Sequence, residues 1–308
     1  MLDPQPSSFR AARPGVRFGI SGWDYRDWRG PVYPTPTPRG FRPLRLLSQF
    51  LDFMEVNSTF YHPTGGSASR RWLNETPREF TFVLKAWQGW THQREPVPGA
   101  PLELFRELMG PILAADRLEG ILLQYPPSWR DSSATRDGVA ELVAALAPAR
   151  VFVEFRHRSL YRPEFYRFLQ SLAVDFVNVD LPAVGSLPPP STINTGPCGF
   201  VRLHGRNQAA WANPRATRDQ RYDYRYSVEE IRSIIDSVRQ LLARTPRLLI
   251  AANNHFAGHA PAAMVLGRAL LEQRRVRAPA RLIASHPELA PYCDPLDEDA
   301  ANLPKDEP

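Results

Sequence analysis

Eight short stretches of the chain are apolar and rich in β-branched and aromatic residues, and several run into charge with no turn residue between. Val151-Phe152-Val153-Glu154-Phe155-Arg156-His157-Arg158-Ser159 shows the switch most sharply. Period-two alternation puts Phe152, Glu154 and Arg156 on one face and Val151, Val153 and Phe155 on the other. The same reading predicts strands at 16–21, 53–59, 80–87, 120–125, 151–159, 175–180, 200–205 and 247–253. Helical periodicity falls between them, at 43–51, 67–75, 102–115, 137–147, 163–173 and 261–275. The clearest helix starts at a capping box, Ser227 with Glu230, and carries Ile231, Ile234, Ile235, Val238, Leu241 and Leu242 on one stripe. Residues 181–199 hold too much Pro and Gly for a helix and read as a long loop.

Strands alternating with helices in this order predict an α/β protein, a single-domain (β/α)8 TIM barrel whose sixth helix is replaced by a Pro-rich loop. A doubly wound open sheet competes, but no Gly-rich phosphate fingerprint follows the first strand. The expected division is a flexible arm at 1–15, the barrel at 16–277, and a Pro-rich, acidic tail at 278–308.

In such a barrel the C-terminal strand ends share one mouth, where active sites sit. Alternation sends Ser21, Glu55, Asn57, Lys85, Gln124, Glu154, Arg156, Asn178, Asp180, Arg202, His204, Asn253 and His255 toward it. Buried charges cost several kcal/mol unless paired or used, so a convergence of carboxylates, cations and histidines reads as a site. A structural salt-bridge lattice is the plainer alternative. Six of the seven tryptophans, Trp23, Trp28, Trp87, Trp90, Trp129 and Trp211, lie in loops at the same strand ends, with Arg206 and other arginines among them. Rings and arginines together suit a flat or sugar-like anionic ligand. Each tryptophan taken singly reads more simply as loop packing.

Composition adds limits. The net charge is +6, but residues 294–308 contain six acids and one lysine, −5, which leaves +11 for the rest. A basic body favours anionic partners, small or nucleic acid. The two cysteines, Cys198 and Cys293, lie far apart, which fits a reducing cytoplasm better than a disulfide scaffold. No signal peptide or membrane-spanning run is expected.

Three chemistries and one binding role fit these residues. The first is acid–base catalysis on an anionic sugar-like or nucleotide-like molecule, with Glu154 as acid or base, Glu55 or His204 as its complement, and Arg156 and Arg202 holding the anion. Trp23, Asn57, Gln124, Arg206, Asn253, Asn254 and His255 would complete the binding surface. No cofactor is predicted. The second is a metal-dependent phosphodiesterase or isomerase with a divalent ion on Glu55, Glu154, Asp180 and His204. The third is Schiff-base chemistry on Lys85, opposed by the neighbouring acids that would keep it protonated. The fourth is nucleic-acid binding without turnover.

The chain also resembles the YecE-like family from about residue 18 to 271. The resemblance rests on Gly22-Trp23-Asp24-Tyr25-Arg26-Asp27-Trp28-Arg29-Gly30, Glu55-Val56-Asn57-Ser58-Thr59-Phe60-Tyr61, Lys85 with Thr91-His92, and Gln124-Tyr125-Pro126-Pro127-Ser128. Glu154-Phe155-Arg156-His157, Arg202-Leu203-His204-Gly205-Arg206, Tyr222-Asp223-Tyr224 and Asn253-Asn254-His255 continue it. It departs from the family pattern at His62, Ala251-Ala252 and Ala262-Ala263. The resemblance implies a TIM-barrel fold and carries no reaction with it.

Overall fold

The computed structural model describes residues 15–97 and 99–296. Eight parallel strands close on themselves in chain order: β1 Gly15–Ser21, β2 Phe53–Val56, β3 Thr81–Lys85, β4 Leu118–Gln124, β5 Val151–Glu154, β6 Asp175–Asp180, β7 Cys198–Leu203 and β8 Arg247–Ala252. The barrel closes where Phe18 and Gly19 of β1 lie beside Ile250 and Ala251 of β8. Helices follow every strand but β6, where a Pro-rich loop takes the helix's place. This is the expected (β/α)8 architecture. No helix among the described residues is long and apolar enough to cross a membrane.

Two apolar layers result. Between strands and helices, the capped helix Val228–Leu242 buries Ile231, Ile234, Ile235, Val238 and Leu241, as its stripe requires. Ser227 accepts from Glu230 N at its start. Inside the barrel, Phe53, Val83, Leu122, Phe152, Val177, Phe200 and Leu249 form a separate plug. Gly19 is part of that packing, because a Cβ there would lie 2.5 Å from Phe53 O. Below the plug, at the N-terminal strand ends, Glu119 accepts from Thr81 at 2.7 Å and pairs with Arg247. Polar groups at that end of a barrel serve stability.

Several boundaries differ from the sequence reading. β2 stops at Val56 because Asn57 leads into a short helix, Ser58–Tyr61. β5 stops at Glu154, and Arg156 lies beyond the ladder. The helix expected at 137–147 begins earlier, at Ser133, where Ser132 and Thr135 make a reciprocal cap.

β6 departs most. Val177 and Val179 face the lumen, while Asn178 and Asp180 face outward. The missing helix explains the inversion. Asn178 Oδ1 accepts from Ser191 Oγ and Ile193 N, and its Nδ2 donates to Ile193 O, so an outward amide satisfies the loop backbone that replaces an apolar helix face.

The chain past 278 is also folded as far as Leu296. Strand β9, Val276–Pro279, pairs in parallel with β10, Cys293–Leu296, with helix Ala280–Ser285 between them. Here the expected tail boundary is corrected: turn residues had hidden a compact closing unit. The expected arm at 1–14 and the acidic end from 297 lie outside the described residues.

Two stability predictions follow from this packing. Phe152→Ala, which empties the plug beside Phe200 at 5.0 Å between ring centroids, should cost about 3–5 kcal/mol in urea unfolding. Ser227→Ala should cost only about 1 kcal/mol. Equal losses would contradict the two-layer assignment.

Candidate functional site

The upper lumen is built around Arg202. It stands on β7 and is fully buried. Its Nε donates to Glu55 Oε2 at 2.7 Å and its Nη2 to Glu55 Oε1 at 2.5 Å. Nη1 pairs with Glu154 Oε2, and Nη2 reaches Ser21 Oγ at 3.3 Å. The other Glu154 oxygen pairs with Arg156 Nε. His204 Nε2 lies 3.2 Å from Arg156 Nη2 and 3.4 Å from Glu154 Oε1, and Asn253 Nδ2 lies 3.2 Å from His204 Nδ1. Alternation on β2, β5, β7 and β8 therefore brings Glu55, Glu154, Arg156, Arg202, His204 and Asn253 together as expected.

Two carboxylates and two guanidiniums make this quartet neutral. Burial pushes the Glu154 carboxyl up, but Arg156, Arg202 and His204 outweigh it and hold it well below the usual carboxylate range. Burial, then Arg156, lowers His204 to about 3, so its ring is neutral. A carboxylate gripped on both oxygens, with its proton affinity this low, is a poor general base near neutral pH.

Lys85 is the exception. It ends β3 inside the same cluster, yet among the described residues its amine makes no ion pair or hydrogen bond. The Phe60 ring lies beside it, 4.2 Å from Nζ to the ring centroid. Burial and the Arg202 charge lower it to about 7, with Arg156 adding to them and Glu55 and Glu154 opposing. The acids were expected to keep this amine charged. Burial and the Arg202 charge outweigh them, and both acids are also paired with arginines.

The rim adds aromatic and unsatisfied groups. His255 is buried and stacks on Tyr25 at 4.3 Å, with Tyr222 at 5.6 Å. Neither of its ring nitrogens has a hydrogen-bond partner among the described residues. Burial, then Arg218, lowers it to about 4. Asn57 Oδ1 is likewise buried without a partner. Gln124 lies beside Glu154 in the sheet register and donates to Tyr125 O. Trp211 covers Arg156, whose Cζ is 5.8 Å from the ring centroid. Gly205 has φ +82°, and its N–H donates to Tyr226 Oη, turning the chain into the segment that carries Trp211 and Tyr222.

Other expected members lie elsewhere. Asp180 is on the outer face, bonded by Arg206 and by Tyr226 Oη at 2.7 Å, so neither Asp180 nor Arg206 reaches the mouth. Glu55, Glu154, Asp180 and His204 consequently do not converge as a metal-ligand set. Among the described residues no group of three His, Cys, Asp or Glu side chains could hold a metal ion. Asn254 donates to Tyr224 O and supports the roof. Trp23 packs edge-on against Trp72. Trp28, Trp90 and Trp129 are core residues, so loop packing explains most of the tryptophans. Tyr25, Phe60 and Tyr222 belong to the site by position. Their signal in the sequence lay in the family motifs, since alternation does not reach loops.

Comparison with known proteins agrees with this architecture. The family model described as "Protein of unknown function DUF72" matches residues 17–287, and the chain belongs to that family, for which YecE-like is a synonym. The UPF0759 protein YunF of Bacillus subtilis (strain 168) is 28% identical over 262 residues, covering 80% of this chain and 90% of that protein. A DUF72 family protein of Thermotoga maritima MSB8 superposes with a TM-score of 0.73 at 29% identity, over 83% of this chain and 99% of that one. One from Enterococcus faecalis V583 gives 0.74 at 21% identity, over 84% and 96%, a likeness of fold alone.

Arg202→Met strands two buried carboxylates and should destabilise the protein by about 3–5 kcal/mol in denaturant unfolding; wild-type stability would refute the hub. The buried His204 and His255 have lowered folded pKa values, so the unfolded chain binds protons that the fold does not. Stability should therefore fall as pH drops from about 6.5 toward 4, by on the order of 1 kcal/mol per pH unit for each histidine. A urea midpoint that does not move between pH 7 and 5 would contradict the neutral assignment.

Proposed function

We propose that this DUF72-family barrel is an enzyme whose mouth performs acid–base chemistry on an anionic, sugar-like or nucleotide-like small molecule, with Lys85 as the proton-transferring group. One observation carries the reading: an amine with no counter-ion among the described residues sits inside a cluster whose carboxylates are both occupied by arginines. The quartet is already neutral, so protonating Lys85 adds an uncompensated charge in a desolvated place. A group poised near pH 7 both gives and takes protons efficiently.

The other side chains divide the remaining work. Glu55 and Glu154 fix Arg202 and Arg156 and supply the negative field that keeps Lys85 from falling further. Arg156 uses Nε on Glu154 and Nη2 toward His204. Its Nη1 forms no hydrogen bond among the described residues and is the natural contact for an anion. Tyr25, Tyr222 and Trp211 offer ring faces to a flat or sugar-like body. His255 and Asn57 offer polar atoms that the protein leaves unsatisfied, as a binding surface does before its ligand arrives.

The titration of Lys85 tests this without a known substrate. The sequence has two lysines, Lys85 and Lys305, so protein labelled with 13C at lysine Cε gives two signals, and Lys305→Arg assigns them. Lys85 should titrate near 7; a midpoint near the ordinary ~10.4 would sink the proposal. Because its folded pKa is lowered, the unfolded chain holds a proton the fold lacks between these values, so this residue makes stability rise with pH across that window. Lys85→Met should flatten that rise, and should reduce turnover of any anionic substrate found by metabolite screening at least ~100-fold.

A further inference from the structure

Of the 38 basic side chains in the sequence, all but Lys85 and Lys305 are arginines. Lys305 lies outside the described residues. Every other described cation, at the bottom of the barrel, on its outer face and in the mouth itself, is therefore a guanidinium or a histidine. Arg202 on β7 and Arg156, just past the end of β5, both grip carboxylates in the upper lumen. A cation needed at the end of β3 only for charge or anion binding could have been arginine as well. An amine differs from a guanidinium in one chemical respect that matters here: it can lose its proton and become a nucleophile.

The surroundings of Lys85 suit that use. Lys85 is partly buried, the Phe60 ring stands 4.2 Å from its amine, and among the described residues no carboxylate or carbonyl oxygen engages that amine. Arg156, with an unbonded Nη1, stands in the same mouth. We infer that Lys85 forms an imine with an aldehyde or ketone that also carries an anionic group, the anion resting on Arg156. The inference rests on the reading of the mouth as an acid–base active site and specifies its substrate class.

The step balances without an added oxidant or reductant. The neutral amine attacks the carbonyl carbon, the C–N bond forms, and a proton passes from nitrogen to oxygen to give a carbinolamine. The carbinolamine hydroxyl then takes a second proton from solvent water (H3O+), the C–O bond breaks, the oxygen leaves as water, and the nitrogen lone pair forms the C=N bond of the iminium. That product is cationic for as long as its N–H proton is kept. It forms within the field of Glu55 and Glu154, the same two groups that oppose loss of charge from the free amine.

The test uses the intact chain with Lys305→Arg, so that Lys85 is its single lysine. Glyoxylate, pyruvate and glyceraldehyde 3-phosphate serve as anionic probes and glycolaldehyde as a neutral one, each at pH 7 with cyanoborohydride to trap the imine. Peptide mapping by mass spectrometry separates Lys85 from the N-terminal amine. At least one anionic probe should give a reduced adduct on Lys85, more than about tenfold faster than on free Nα-acetyl-lysine. Inorganic phosphate should compete, and Arg156→Gln, checked for an intact unfolding transition, should erase the preference over glycolaldehyde. No adduct at Lys85, or one no faster than on the free amino acid, overturns the inference. Equal labelling by neutral and anionic probes overturns its anionic half. Failure of the parent reading looks different: there Lys85 titrates near 10 by NMR. A midpoint near 7 with arylation by fluorodinitrobenzene but no imine would leave the proton-transfer role standing and remove the covalent one.

Discussion

The whole upper barrel depends on how a fully buried guanidinium is compensated. Arg202 has no access to water, so its charge and its donors must be met by protein. Glu55 takes it side-on, Glu154 takes one further nitrogen, and Ser21 completes the set. These partners come from β2, β5 and β1, so a single side chain ties distant staves of the barrel across its axis. Glu154 then has one oxygen left, and Arg156 claims it. What looks like a catalytic pair of carboxylates is the frame that holds two arginines in place. The Lys85 amine lies in the same cluster and, among the described residues, forms no ion pair with this frame.

The apolar plug inside the barrel separates that frame from a second polar layer. Below the plug of Phe53, Val83, Leu122, Phe152 and Phe200, Glu119 and Arg247 close the bottom of the barrel with complementary charges. Above it the same kinds of residue leave Lys85, His255 and Asn57 with unmet capacity. Satisfied and unsatisfied networks are chemically alike in composition. In the upper one, His255 Nδ1 and Nε2 and Asn57 Oδ1 have no hydrogen-bond partner among the described residues.

The eight staves were legible because apolar alternation and helix stripes repeat, and the inward sets of β2, β3, β5, β7 and β8 follow from that period alone. β6 was misread for a physical reason. In Asp175-Phe176-Val177-Asn178-Val179-Asp180 both faces carry plausible lumen residues, and the rule that polar ends point inward assumes an apolar helix outside. Where that helix is absent, the outer face can be polar, so Asn178 and Asp180 turned to the loop and to Arg206. The pairing of Glu154 with two arginines was not legible, since alternation gives a face and no partner. Part of the distinction of Lys85 was available in the sequence after all, in the near-absence of its residue type. Its lack of a counter-ion required the three-dimensional arrangement.

The family match ends at residue 287, yet β10 begins at Cys293 and lies along β9. Arg275 fastens the two, reaching the carbonyls of Ala290, Pro291 and Cys293 and the Asp294 carboxylate. The family match and the folded part of this molecule therefore end at different residues. A fragment excised at the family boundary would carry β9 as an open edge with its hydrogen-bonding groups bare, an invitation to pair with another chain. Kinship marks the part that relatives hold in common, while the physical molecule needs its own clasp.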